Sequence, residues 1–432
     1  QFNIQEYGGT YMISPAVITL IVLVAAAVLF ISEKIPVPLT AMLCLAVLVL
    51  TGIVTPADAI AGFSNSTVIL LISIILVGGA LFETGVTEKV AKAALKVAKT
   101  EKQMIMVVFW LGVALSALLN NTGVMAMMIP LLLGLQASVG YSASKLMMAG
   151  FLGVMCGGRL TLVGDATVNS IAQNAIVELG GTFGAFDIGR IGLPITILTF
   201  LWLLFYGWKK LPDCKTTEDS SIFNSEEKKS APLWQQIASV VVIALVFVGM
   251  CVTGKIGIPL YMIAMLGAIA VCAMRILKGK AVYNLIDMKT VFLYVGMLPL
   301  GAALKTTGAA QMIADVVAQI CGGTGNVYLI TAVVFLVSCF MTQFTSNVVT
   351  INLLVPIVVA IGETLGVSPA ALIVTATIAA TCGYVSPVAC PPATIIYGNG
   401  GFKFKDYGKC NWSLLLLTFV LCVVLLPMLW PL

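Results

Sequence analysis

The sequence predicts an all-α polytopic membrane protein: an inverted repeat of two halves, each with five spans and one re-entrant helical hairpin. Three observations predict it. Of 432 residues, 60% are apolar and only 9% charged, against roughly 25% charged in soluble globular chains. Twelve apolar runs follow one another at lengths suited to a hydrocarbon layer of ~30 Å, which asks for about 20 residues per helical crossing. The runs also come as two sets in the same order, so that one half of the chain repeats the other.

Taken in order, residues 1–13 form a polar leader, with no apolar segment and cleavage site of a signal peptide ahead of the first span. The first repeat, 14–208, holds runs at 14–32, 36–54, 66–82, 104–138, 143–175 and 190–208. A polar linker, 209–233, mixes lysines with acids and separates the halves. The second repeat, 234–432, holds runs at 234–253, 257–274, 290–304, 327–361, 368–396 and 413–430. The duplication is visible in residues: Lys34-Ile35 and Pro38-Leu39 return as Lys255-Ile256 and Pro259-Leu260, and Ser116, Asn121 and Pro130 return as Thr342, Asn347 and Pro356.

Runs 104–138 and 327–361 are too long for one crossing, and each is interrupted by polar residues, Asn120-Asn121-Thr122 and Thr345-Ser346-Asn347. Each reads as a hairpin that enters and leaves by the same face. Runs 143–175 and 368–396 are broken around Gly157 to Asn169 and Gly383 to Pro392. Such breaks free backbone groups, which is tolerable at membrane depth only where protein or a wet cavity receives them. With hairpins counted as no crossing, five spans per half give ten in all, and an odd number inverts the second half.

Charge placement agrees with that drawing. With both termini outside, the inner loops hold nineteen Lys and Arg and the outer loops three, with Arg159 alone at membrane depth. This asymmetry places the linker 209–233 in the cytoplasm of a bacterial inner (plasma) membrane. It also accounts for the +5 net charge without nucleic acid as a partner. The lysine-rich segment 86–102 reads as one amphipathic helix on the inner leaflet, in contact with membrane lipid.

The chain has no histidine, which removes His-ligated metals, haem and Ser/His or Cys/His nucleophiles. Its eleven cysteines contain no C-x-x-C pair and read as small apolar fillers. Too few buried acids and bases are left for an enzyme, and no organic cofactor is expected.

What the duplication brings to the midplane is a pair of hairpin tips and a pair of broken helices. Amides and hydroxyls at a helix break offer oxygens to a small hard cation, while half-helix N-termini aim N–H groups and positive dipole ends at an anion. Helix capping and interhelical hydrogen bonding are the structural alternative for the same residues.

At these residues the chain resembles the divalent anion/sodium symporters of the ion-transporter superfamily, over about 14–430. Asn120-Asn121-Thr122 and Ser346-Asn347-Val348 match the family's tips, and Gly164 to Asn169 and Ala389 to Ala393 match its broken-helix loops. The resemblance implies a homodimer working as an elevator, with sodium co-transported alongside a small anionic substrate. It implies one sodium site at Ser116, Asn120, Asn121 and Gly164 and another at Thr342, Thr345, Asn347 and Ala389. The substrate would meet Asn120, Asn121, Thr122, Ser346, Asn347 and Pro391.

The sequence departs from the family pattern in places. Asn120 stands for a serine, Val348 for a threonine and Cys390 for a loop threonine, and Arg159 and Asp165 are charged at membrane depth. An unpaired charge there costs at least ~2.5–3.5 kcal/mol on insertion scales. Arg159 has three open roles: an ion pair with Asp165, a contact to the anion, or a place on a wet face. Asp165 is a candidate for sodium or a proton.

The function expected is sodium-coupled symport of a di- or tricarboxylate or similar divalent oxyanion. A sodium/proton antiporter using Asp165, a sodium-independent anion exchanger and an anion channel are the rivals.

Overall fold

The computed structural model describes residues 14–32, 34–96, 98–214, 231–286, 288–320 and 326–430. The leader 1–13 and most of the linker, 215–230, lie outside the described residues. Twenty α-helices and no strand occur among those described. The first ten are α1 (Pro15–Ser32), α2 (Val37–Leu50), α3 (Pro56–Ala61), α4 (Ser66–Thr84), α5 (Val86–Leu95), α6 (Glu101–Ser116), α7 (Asn121–Val139), α8 (Ala143–Gly157), α9 (Ala166–Glu178) and α10 (Gly189–Phe205). The next ten are α11 (Leu233–Ile256), α12 (Leu260–Ala273), α13 (Lys280–Leu285), α14 (Met288–Thr306), α15 (Ala309–Ile320), α16 (Val327–Thr342), α17 (Asn347–Leu365), α18 (Pro369–Ala380), α19 (Pro391–Asn399) and α20 (Phe404–Leu429).

The same local chemistry starts and stops matching helices in each set. The Thr100 side chain caps α6 and that of Asn326 caps α16. Asn120 and Ser346 cap α7 and α17, both of which carry an internal proline and end on a left-handed glycine, Gly140 and Gly366. A left-handed conformation without steric penalty is the property glycine brings to such a helix end. Gly85 and Gly308, both at φ +77°, turn α4 into α5 and α14 into α15.

Packing is reciprocal as well. α2 lies against α14 and α4 against α12; α6 and α16 pack on α8 and α18 respectively; α9 contacts α17 and α18, while α19 contacts α7 and α8. One group of helices, α1–α4 with α11–α14, thus faces a second, α6–α10 with α16–α20, through α14 on α17 and α4 on α9. Close approach within the second group needs small residues. A side chain at Gly153 of α8 would strike the backbone of Phe109 in α6.

Helix lengths add detail to the expected crossings. By length and apolarity four stretches among the described residues can cross a membrane unaided: Pro56–Thr84, Leu233–Met250, Asn347–Leu365 and Phe404–Leu429. A fifth forms if α14 and α15 count together across their 72° bend. Eight further apolar helices are shorter, at 10–17 residues. The predicted runs 143–175 and 368–396 each divide into two helices, so a single run does not equal a full-length span.

The amphipathic helix expected over 86–102 is also shorter than read: α5 ends at Leu95, and Thr100 starts a new helix by capping α6. The start of the linker is pinned. Ser144 Oγ donates to Pro212 O at 3.0 Å and accepts from Cys214 N at 2.9 Å, and Lys145 pairs with Asp213 at 2.9 Å.

Candidate functional site

Four helices begin at one place. The residues preceding α7, α9, α17 and α19 are Asn120, Asp165, Ser346 and Cys390, and all four line a cavity of about 530 Å³. Each helix start presents N–H groups and the positive end of its dipole. The far wall comes from Ile35 and Pro36, which join α1 to α2, from Val37 and Pro38 at the start of α2, and from Leu293 of α14. The cavity therefore lies between the two helix groups.

All six expected substrate residues, Asn120, Asn121, Thr122, Ser346, Asn347 and Pro391, line this cavity. Asp165, Thr167, Met155 and Cys390 join them. Among the described residues no arginine or lysine does, so the donors facing the cavity are backbone N–H groups and neutral amides and hydroxyls. Asn120 and Ser346 also perform the capping role weighed as the structural alternative, accepting from Thr122 N at 2.8 Å and Val349 N at 3.3 Å.

The expected cation ligands stand partly in the cavity wall, at Asn120, Asn121 and Asn347, and otherwise do not line it. In the first half the Ser116 hydroxyl is hydrogen bonded to Asn121 Oδ1, and Asn121 Nδ2 donates to Asp165 Oδ2 at 3.3 Å. Gly164 sits against the Ser116 carbonyl, with no space for a side chain. The loop 158–165 is knitted by two residues. Thr161 donates to Ala117 O at 2.5 Å and accepts from Val163 N and Gly164 N, and Asn169 Nδ2 donates to Gly158 O and Thr161 O at 2.9 Å each.

In the second half the amide of Asn347 reaches three oxygens: Ala380 O at 2.9 Å, Thr342 Oγ1 at 2.9 Å and Ala389 O at 3.2 Å. With its nitrogen inward the amide donates to them. With its oxygen inward, four oxygens converge and Thr342 supplies one proton among them, an arrangement that a hard cation satisfies. The donor set thus fits sodium in chemistry. Thr345 stands apart from this group, its hydroxyl bonded to Met341 O at 3.0 Å and Thr350 Oγ1 at 2.8 Å.

Arg159 and Asp165 form no ion pair among the described residues, which corrects that reading of the two charges. Nor does Arg159 line the cavity, where a contact with the anion would place it. It is 1% exposed, so the wet-face reading fails too. Its Nε donates to Thr381 Oγ1 at 2.8 Å, its Nη1 to Tyr384 OH at 2.5 Å, and its Nη2 to Thr381 O. Thr381 is the residue that closes α18, so the guanidinium sits at the negative end of a helix. Sequence reasoning could not find these partners, more than 220 residues away. The Ile35–Pro38 wall did leave a signal: Ile35 and Pro38 recur in the second half as Ile256 and Pro259.

With the fold and this site in hand, the class is a membrane transporter whose cavity is ringed by helix N-termini. A family model described as citrate transporter matches residues 27–258 and 250–432. The chain belongs to the citrate transporter family, within the divalent anion/sodium symporter group. It is 28% identical over 422 residues to an uncharacterized transporter of Haemophilus influenzae, covering 94% of this chain and 90% of that one. Against the sodium-dependent dicarboxylate transporter SdcS of Staphylococcus saprophyticus it is 23% identical over 439 residues, covering 93% and 84%. Among solved structures, the YdaH transporter of Alcanivorax borkumensis shares the fold at a TM-score of 0.63 and 15% identity, covering 96% of this chain and 98% of that one. The protein is an integral membrane transporter, and its family is not one of enzymes.

Proposed function

We propose that this protein carries a di- or tricarboxylate, or a comparable divalent oxyanion, into the cell together with sodium. One observation carries the reading: four helix N-termini converge on a single cavity that no basic side chain lines. Oriented N–H groups neutralise carboxylates there without an arginine. The oxygen groups around Asn121 and Asn347 support sodium beside the anion, and the names of the family and of SdcS support the substrate class. The sodium ligands would be Ser116, Asn120, Asn121 and Gly164 on one side and Thr342, Asn347 and Ala389 on the other. Thr345 could add only its backbone carbonyl.

The movement follows from where the cavity lies. One wall belongs to α1, α2 and α14, and the rest to the second helix group, so sliding that group along α14 and α4 would carry the bound anion across as an elevator does. We assign the ten-span inverted topology, with the termini outside and the linker inside, and a homodimer in lipid, to the same reading. If cation charge exceeds anion charge, each net positive charge entering gains about 2.3 kcal/mol per 100 mV.

A second reading rests on Asp165, a carboxylic acid that lines the cavity and forms no ion pair among the described residues. There it would bind and release a proton in place of one sodium.

A thermal-shift screen tests both, because a ligand that binds the native state raises apparent stability. The purified protein is titrated with citrate, succinate, malate and sulfate, each in sodium and in potassium. Stabilisation by one anion only in sodium is the expected result. A response without a sodium requirement overturns symport with sodium in favour of exchange or proton coupling.

A further inference from the structure

Arg159 carries a buried charge whose hydrogen bonds go to neutral acceptors, and its side chain does not line the cavity. Its surroundings show what it does instead. The residue follows α8 by two positions and opens the loop 158–165, whose far end holds Gly164 and Asp165. Its backbone is fixed against α10, where a side chain at Gly192 would collide with the Arg159 carbonyl. Its side chain crosses to the other half, where Thr381 and Tyr384 flank the second broken helix.

Both acceptors adjoin the second oxygen group. Thr381 follows Ala380, whose carbonyl faces Asn347, and Tyr384 lies in the segment that leads to Ala389, the other carbonyl. Tyr384 is held from two sides: its hydroxyl by Arg159, and its carbonyl by Asn411 Nδ2 of α20 at 2.9 Å. The guanidinium also lies over the Tyr384 ring, 5.1 Å from its centre. A rigid, planar group with several fixed donors therefore joins the loop of one oxygen group to the loop of the other. Lysine, a point charge on a flexible stem, cannot reproduce that geometry.

We propose that Arg159 is a positioning residue that braces the two broken-helix loops together, so that the two cation sites respond as one. Occupation of the second site pulls on Ala380 and Ala389, and the brace passes that displacement to the loop carrying Gly164 and Asp165. Packed interiors transmit such shifts because they are stiff. The inference rests on the sodium reading for its ligand, while the brace itself rests on the geometry alone.

Tyr384→Phe is the informative variant, since it keeps the ring and removes only the hydroxyl; Arg159→Lys keeps the charge and removes the fork. Sodium titrations of the full-length protein, read by thermal shift, are expected to give a Hill slope of about 2 that falls toward 1 in both variants. Hydrogen exchange without ligand is the independent readout. In Tyr384→Phe the amides of 159–165 and 382–390 should exchange faster together, roughly tenfold. Wild-type slope and exchange in Tyr384→Phe overturn the proposal, as does faster exchange confined to 382–390. Should the wild type ignore sodium, the sodium reading fails, and exchange in the two loops still decides for or against the brace.

Discussion

Asn121 and Asp165 meet across two helix breaks, the amide nitrogen of one 3.3 Å from a carboxylate oxygen of the other. No such contact exists at the matching place in the second half. There the residue before the broken helix is Cys390, and Asn347 faces the carbonyls of Ala380 and Ala389. The two halves are thus unequal in what each contributes: the first supplies a carboxyl group, Asp165, which also reaches the Asn347 side chain, and the second has Cys390 in its place.

Asn121→Ala and Asn347→Ala should each yield a folded, extractable protein that has lost sodium-dependent stabilisation. Each amide is buried, so a further cost of roughly 1–3 kcal/mol from unpaired neighbours should lower the melting temperature. The sodium-induced shift measured in parallel separates the two effects. A wild-type shift in both variants would sink the assignment.

Asp165→Asn removes a charge with almost no change of shape. Half-saturation by sodium should rise at least about tenfold, which corresponds to roughly 1.4 kcal/mol. The check is a sodium titration of anion binding at several pH values. An unchanged sodium midpoint with a lost pH dependence would assign the carboxyl to proton coupling.

The pinned start of the linker makes a pH prediction. Hydrogen bonds from Lys145 and Ser142 hold the Asp213 carboxyl below its ordinary value. Burial works against the Lys145 charge, but the hydrogen bond and charge of Asp213, with Glu101, outweigh it and raise the Lys145 value. A lowered acid stabilises the fold above its unfolded value of about 3.9 and loses that contribution as pH falls through the folded one. The raised lysine contributes below about 10.4 and loses its share as pH rises past its folded value. Asp213 is well exposed and Lys145 half-buried, so Asp213→Asn should cost at most about 1 kcal/mol at neutral pH. The difference from wild type should shrink as melts are taken at progressively lower pH below about 3.9, and a difference that does not shrink would contradict the pairing.

Gly308, at φ +77° with open space where a side chain would stand, turns α14 into α15. Gly308→Ala should therefore destabilise by about 1–2 kcal/mol through backbone conformation alone. Melting of the purified variant measures it, and an unchanged midpoint would show that the turn relaxes without penalty.

Much of this arrangement was legible in the residues. Proline, glycine and short polar side chains act locally, so the breaks at 117–120, 158–165, 343–346 and 381–390 could be read without knowing what packs beside them. The six expected substrate residues came from the family resemblance at those breaks, and all six line the cavity. What the sequence concealed was long-range. The partners of Arg159 lie in the other half, and a nearby Asp165 offered itself as the obvious but mistaken one. Helix α5 was read too long because its lysine spacing continues past Leu95, while the Thr100 cap that ends the pattern is a single residue.

The same long-range contact bears on how the protein is made. Arg159 leaves the ribosome 222 and 225 residues before Thr381 and Tyr384. At about 5–20 residues per second, that delay lasts roughly 10–45 s. Throughout it a guanidinium destined for the interior has none of its final acceptors. The first half must wait, with the arginine in water, at the headgroups or in the care of the insertion machinery, until α18 arrives. Assembly of the transporter is thereby timed by its last third, and a chain truncated before Tyr384 would expose an orphan charge that marks it as unfinished.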